Sequence, residues 1–243
     1  MSTAFATPPP VEILVPATQP QVGTLALQAS FPADWTLADL QDHLGGVPFE
    51  RIRMVPPPGY ATEEHVLCIQ EQTGGLYELQ DGILVEKARG WYESFLAMII
   101  GGELVEFVMK RNLGKLLGPD GTVRILPGIV KIPDLSFISW ARWPKQPPPR
   151  RPIPALVPDL VVEILSETNT KREMEQKLQR YFEAGVRLVW YVDPATRTAD
   201  VFVSPDDVTH VDPTGELDGG DVLPGFRLSL RKVFEMADRQ PPA

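Results

Sequence analysis

Cysteine and histidine are nearly missing from this 243-residue chain: Cys68 stands alone, and His43, His65 and His210 are scattered. A lone cysteine excludes an intramolecular disulfide framework and a multi-cysteine metal cage. Three dispersed imidazoles leave too few ligands for a typical zinc site. Positive charge is also scarce. Lys and Arg total 23 against 32 Asp and Glu, a net charge of −9, whereas proteins that take up a polyanion over their whole surface usually carry net positive charge. Long apolar runs are lacking too. The most apolar stretch, Phe95 to Met109, contains Glu103 and Glu106 and falls short of the roughly 18 residues of a membrane span. Met1 to Pro10 has no basic patch followed by an apolar run, as a secretory leader would. The expectation is a soluble, cytoplasmic protein with no membrane partner. Neither a Gly-rich phosphate loop nor a G-x-S-x-G elbow is present.

Proline, by contrast, is abundant at 26 residues and clustered, so it marks the punctuation. Residues 1–33 read as an extended arm with one strand at Val11 to Val15. Thr36 as N-cap with Leu37, Leu40 and Leu44 predicts a short helix that Gly45-Gly46 stops. Pro56-Pro57-Pro58-Gly59 sets a boundary between an N-terminal extension (residues 1–58) and a main domain (residues 59–243). Leu76 to Leu79, Gln80-Asp81-Gly82 and Ile83 to Glu86 predict a hairpin with Asp-Gly in its turn. A long helix follows from Trp91 to Asn112, with Phe95, Met98, Ile99, Leu104, Val105 and Val108 as its apolar residues. Strands are expected at Val123 to Leu126 and Val130 to Ile138, then a stiff loop with seven prolines over residues 144–158. Leu160 to Leu165, Lys171 to Ala184 and Leu188 to Val192 form a strand–helix–strand unit, which implies a right-handed crossover and a parallel pair at the sheet centre. Ala199 to Val203 is expected at an edge, and the acid-rich residues 193–221 as solvated turns. The class is α/β or α+β, a mixed sheet flanked by helices.

Glu163 demands explanation, because it lies inside Leu160-Val161-Val162-Glu163-Ile164-Leu165, a run apolar on both faces. A lone buried carboxylate costs several kcal/mol unless it is paired, protonated or bound to a cation. Asp134 has a similar setting between Ile132 and Leu135. Two carboxylates on apolar strands suit a hard divalent cation, although an arginine or backbone amides could satisfy each. On the helix Lys171 to Ala184 the apolar stripe is Met174, Leu178 and Tyr181, and Lys177 falls at its edge. The level also agrees. Lys177 lies about 10 Å along its helix, and Glu163 about 7 to 10 Å from the end of its strand. A helix returning antiparallel to the strand it leaves brings the two together, unless the lysine simply snorkels to water.

The order of these elements resembles the PD-(D/E)XK nuclease superfamily, and more narrowly the Uma-type family of restriction endonucleases. The resemblance rests on Tyr77-Glu78-Leu79-Gln80-Asp81-Gly82-Ile83-Leu84-Val85-Glu86, Ile132-Pro133-Asp134-Leu135-Ser136-Phe137, Pro158-Asp159-Leu160-Val161-Val162-Glu163-Ile164-Leu165-Ser166 and Phe182-Glu183-Ala184-Gly185-Val186-Arg187-Leu188-Val189-Trp190 with Tyr191-Val192-Asp193-Pro194. It implies a restriction-endonuclease-like core and metal-dependent hydrolysis of phosphodiester bonds in DNA, leaving a 5′ phosphate. Asp134 and Glu163, with the carbonyl of Ile164, would hold Mg²⁺ or Mn²⁺, and Glu93 would serve a second metal or its water, with Glu86 as competitor. The superfamily's lysine two residues after the glutamate is replaced here by Leu165, and Lys177 takes its place. The resemblance also implies a homodimer.

Residues 131–151 carry five cations against Asp134 alone, and more lie on the helix nearby. Lys131, Arg142, Lys145 and Arg172 are therefore the expected contacts to a phosphate backbone. Two other readings stand beside the nuclease: a catalytically inactive nuclease fold serving as a nucleic-acid-binding or interaction module, and an acid/base carboxylate pair acting on a sugar.

Overall fold

The strand Leu160–Ile164 is buried along its whole length, and a strand apolar on both faces must be covered on both. The architecture follows from that demand. The structure, a computed structural model, describes residues 31–32, 34–88, 90–145 and 153–240. In chain order its elements are α1 (Leu37–His43), β1 (Ile52–Arg53), α2 (Glu63–Thr73), β2 (Tyr77–Gln80), β3 (Ile83–Glu86), α3 (Trp91–Arg111), β4 (Gly114–Leu117), β5 (Val123–Leu126), β6 (Ile129–Lys131), β7 (Leu135–Ser139) and β8 (Leu160–Ile164). These are followed by α4 (Lys171–Ala184), β9 (Leu188–Asp193), β10 (Thr198–Ser204), β11 (Asp207–Val211), β12 (Glu216–Asp218), β13 (Arg227–Ser229) and α5 (Leu230–Ala237).

A six-stranded sheet runs β11-β10-β9-β8-β7-β4, and a five-stranded sheet runs β1-β3-β2-β6-β5. In the larger sheet only β8 and β9 are parallel, Glu163 pairing with Tyr191, and the helix between them supplies the expected crossover. Side chains alternate across β8. Leu160, Val162 and Ile164 join a cluster with Leu96, Ile100 and Leu104 of α3 and Leu230 and Val233 of α5. Val161 joins Met174, Leu178 and Tyr181 of α4 on the other face. Glu163 has the parity of Val161, so it points at α4.

Local chemistry sets the elements. Thr170 accepts from the amide of Glu173, and the Glu173 carboxylate receives the Thr170 amide, a capping box that starts α4. Gly185, at φ 96°, ends the helix in the left-handed conformation glycine favours. The β2–β3 turn places Asp81 and Gly82 at φ 51° and 74°, the geometry a two-residue hairpin requires.

The structure departs from expectation in several places. On α3 the buried face is Leu96, Ala97, Ile100, Leu104 and Val108, while Phe95, Met98 and Val105 are exposed. The helix is apolar on two sides, and periodicity alone does not say which side meets the core. The strand expected at an edge, β10, is interior, because Asp207–Val211 forms a further strand outside it. Acid-rich composition there marks an exposed edge strand rather than a turn. Helices α2 and α5 and strand β4 were not expected, and Gly114 opens β4 after Asn112 has capped α3. The expected strand at Val11 to Val15 lies outside the described residues.

The front segment is tied into the same fold. β1 pairs with β3, the Thr170 hydroxyl donates to the carbonyl of Gly45, and Arg51 grips Glu173 with two bonds of 2.8 and 3.0 Å. This ion pair is nearly buried, with side-chain exposures of 11% and 6%. Arg51→Ala is expected to lower unfolding free energy by about 3 kcal/mol, because it strands the Glu173 charge; an unchanged urea midpoint would show that the pair ties nothing down.

Candidate active site

Leu135 of β7 pairs with Val162 of β8. Extending that antiparallel register by one residue sets Asp134 opposite Glu163, on the same face of the sheet. The Asp134 carboxylate accepts the Ile164 amide at 2.8 Å through Oδ2 and the ammonium of Lys87 at 2.9 Å through Oδ1. Glu163 faces α4. Its Oε1 accepts the ammonium of Lys177 at 3.2 Å and the hydroxyl of Tyr181. The expected encounter of Glu163 with Lys177 is thus present in the geometry.

The other partner of Lys177 was not anticipated. Its Nζ also lies 3.2 Å from Oε1 of Glu78, on β2 of the smaller sheet. Glu78 in turn accepts from Lys131 at 3.0 Å and from the Ile132 amide at 3.2 Å. A chain of alternating charge therefore runs Glu163, Lys177, Glu78, Lys131 across both sheets and the helix. All four residues are less than 10% exposed. The available signal was Lys131, a charge inside Val130-Lys131-Ile132 as incongruous as Glu163 in its own strand. Two buried charges of opposite sign on different strands point at each other before they point at solvent.

Burial alone would raise the Glu78 carboxyl, but the ammonium groups of Lys131 and Lys177 hold it well below the usual carboxylate range. Burial would likewise lower the Lys177 ammonium, yet Glu163 and Glu78 overcome it and keep it charged above its ordinary value. Glu163 is shifted up: burial is the main cause, Lys177 opposes it, and the charges of Asp134 and Glu78 add to it. Burial pushes the Tyr181 phenol up as well, with the Glu163 charge beside it, so it remains a donor to that carboxylate.

A cleft of about 350 Å³ opens on Asp134, Ile164 and Lys87, walled by Glu93, Ser94 and Asp120. It shares Gly90, Glu93 and Ser166 with a groove of about 970 Å³ that runs along the start of α4 toward β10 and β11. Glu93 folds back over Gly90, where a Cβ would overlap its carboxylate, so a glycine at 90 is what lets the acid lie against the helix start. Glu93 borders the cleft and Glu86 does not. Among the described residues no group of three or more Asp, Glu, His or Cys side chains is gathered as a cation site; Asp134 and Glu163 are brought together, with Glu93 on the wall.

The expected phosphate contacts are dispersed. Lys131 is 2% exposed and spent on Glu78 and Gln80, which corrects its expected place on a groove. Arg142 binds Asp159 at 3.1 Å and the carbonyls of Val157, Pro158 and Gly185. It braces the start of β8, about 13 Å of strand away from Glu163, so its role there is structural. Arg172 is exposed and paired with Asp42 of α1, and Lys145 is exposed.

A mixed sheet with a parallel pair at its centre, two carboxylates opposed on adjoining strands and a lysine from the crossover helix define a nuclease-like class. A family model described as "Uma2: Putative restriction endonuclease" matches residues 62–231, and the chain belongs to that family. Among solved structures it is similar to that of a "putative nuclease belonging to DUF820" from Anabaena variabilis. The TM-score is 0.60 at 17% identity, covering 68% of this chain and 93% of the other. No curated protein matches.

Because Glu78 neutralises two buried lysines, Glu78→Ala should cost about 3 to 5 kcal/mol of stability in chemical denaturation. The pair Glu78→Leu with Lys131→Met should recover part of it; a loss no larger than that of an exposed glutamate would break the charge chain described here.

Proposed function

We propose that this protein is a metal-dependent endonuclease of the PD-(D/E)XK type that hydrolyses phosphodiester bonds in DNA. The observation that carries this reading is the opposition of Asp134 and Glu163 across β7 and β8, with the Lys177 ammonium 3.2 Å from Glu163. The donor set fits a hard divalent cation: it is all oxygen, it comes from one strand and the residue leading into its neighbour, and Asp134 and Ile164 line a cleft beside the buried Glu163. Asp134 and Glu163 would hold Mg²⁺ or Mn²⁺, with Glu93 on the cleft wall within reach of a bound water or second ion. Such an ion supplies Lewis acidity and lowers the pKa of a bound water.

The chain's own residues do the rest. Lys177 and Tyr181 fix the Glu163 carboxylate from behind, and Glu78 fixes Lys177. The rotamers of the centre are therefore set by groups that never meet substrate. Lys87, on the cleft wall, is the ammonium placed to meet the charge that builds on phosphate, while Lys177 stabilises from beneath. Lys145 and Arg172 are the two of the four expected cations that remain solvent-facing for a backbone. No helix among the described residues is long and apolar enough to cross a membrane.

A second reading has an observation of its own. Asp134 and Glu163 each already hold an ammonium partner, as they would in an inert nuclease fold kept for binding nucleic acid. Cleavage of plasmid and single-stranded DNA with Mg²⁺ or Mn²⁺ separates the two. Asp134→Ala and Lys177→Met should each lose about 100-fold or more in rate, and Lys87→Met a smaller factor. Equal cleavage by wild type and variants would sink the nuclease, and calorimetry finding no cation at Asp134 and Glu163 would favour the inert scaffold.

A further inference from the structure

Helix α3 buries one apolar side in the core and presents another to solvent. Along the outer side stand Trp91 (80% exposed), Phe95 (43%), Met98 (65%), Val105 (45%) and Met109 (67%). Gly102 is exposed among them, with open space where its Cβ would be. Steps of four and three residues alternate from Trp91 through Gly102 to Met109, which is the a/d spacing of a coiled-coil seam. Single exposed apolar residues are ordinary. A continuous stripe along about 30 Å of one helix is not.

We propose that this seam is a homodimer interface, in which two α3 helices pair antiparallel about a two-fold axis level with Ile100. The order of sizes selects both partner and direction. In an antiparallel pair each a position meets a d position of the other helix. Trp91 then faces the partner's Met109, Phe95 faces the partner's Val105, and Met98 fills the notch at the partner's Gly102. Large meets small in every layer, and the sequence of sizes is complementary to its own reversal, as an isologous contact requires. A parallel pair would instead stack Trp91 on Trp91 and Gly102 on Gly102, crowding one layer and hollowing another. The exposed parts of the five side chains come to on the order of 500 Å² per protomer, so a pair buries on the order of 1,000 Å², the scale of a specific interface. The pairing stands on the helix alone and does not depend on the nuclease reading.

The test uses the full chain carrying Cys68→Ser. Chains with Phe95→Cys and chains with Val105→Cys are oxidised separately and as a mixture. Disulfide-linked dimers are expected in the mixture only, because identical positions lie about 15 Å apart along the antiparallel pair, too far for a disulfide. Met98→Glu should raise the dimer dissociation constant by about 100-fold or more in sedimentation equilibrium, with circular dichroism unchanged and the unfolding midpoint equal to that of wild type diluted below its own dissociation constant. A monomeric wild-type chain, cross-linking of Phe95→Cys to itself, or a dimer indifferent to Met98→Glu overturns the proposal. So does a Val105→Cys thiol that becomes reactive only after residues 1–30 are removed, which would assign the stripe to the chain's own front segment.

Discussion

The Lys177 ammonium joins three parts of the molecule at one point. It bonds Glu163 of the six-stranded sheet and Glu78 of the five-stranded sheet, each at 3.2 Å, from a helix that covers both. None of these groups is tolerable where it sits without the others, since an ion left unpaired in the interior costs several kcal/mol. The three are therefore bound to one geometry: if α4 slides by a turn, about 5.4 Å, two carboxylates lose their counter-ion together. Hydrophobic packing of Met174, Leu178 and Tyr181 provides the attraction between helix and sheet, but it is non-directional. The ion chain sets the register of the packing, and with it the orientation of the Glu163 carboxylate that the β7–β8 register places beside Asp134.

That division of labour explains what was legible in the sequence. The Asp-Gly hairpin, the crossover helix with its glycine stop and the parallel strand pair are local patterns, and each appears where its turn and cap residues imply. Lys177 was legible because helical phase and axial level are both one-dimensional quantities. Glu78 and Lys131 were not, because their pairing is a contact between strands 53 residues apart, and the local charge balance offered Lys131 a plausible surface role. Arg142 misled for the same reason: a cation in a proline-rich stretch reads as solvent-facing, yet it closes carbonyls and the Asp159 carboxylate at the start of β8. The expectation for β10 failed on its neighbour. β11 has four exposed residues in five, so its strand character rests on backbone pairing that side-chain pattern does not announce.

The outer stripe of α3 belongs to a third category, visible in the sequence but not separated from the core side. Phe95, Met98 and Val105 were grouped with Ile99, Leu104 and Val108 as one apolar set. The buried side uses Leu96, Ala97, Ile100 and Leu104, which have the same character. A helix with two apolar sides needs two partners, and the described fold supplies one.

Electrostatics does not tie that second side to the cleft. The chain carries a net charge of −9, and Lys87, Lys131 and Lys177 are all spent on internal carboxylates. Among the described residues, a polyanion approaching the cleft would meet Lys87 on a wall that also holds Glu93 and Asp120. Net charge acts weakly at a distance under physiological salt, where screening sets in over about 8 Å, so what matters is the cations within that radius. Lys110 and Arg111 close the far end of α3, one paired with Glu106 and the other lying 3.8 Å over the Phe107 ring. In an antiparallel pair centred on Ile100, position 110 of one helix comes level with position 90 of the other. Of the two only Lys110 flanks the seam, because Arg111 lies about half a turn round α3 from the Trp91–Met109 stripe, against Phe107. Pairing through α3 would therefore bring to the partner's helix start one exposed ammonium already matched within its own chain by Glu106, so the seam answers to apolar burial and not to charge.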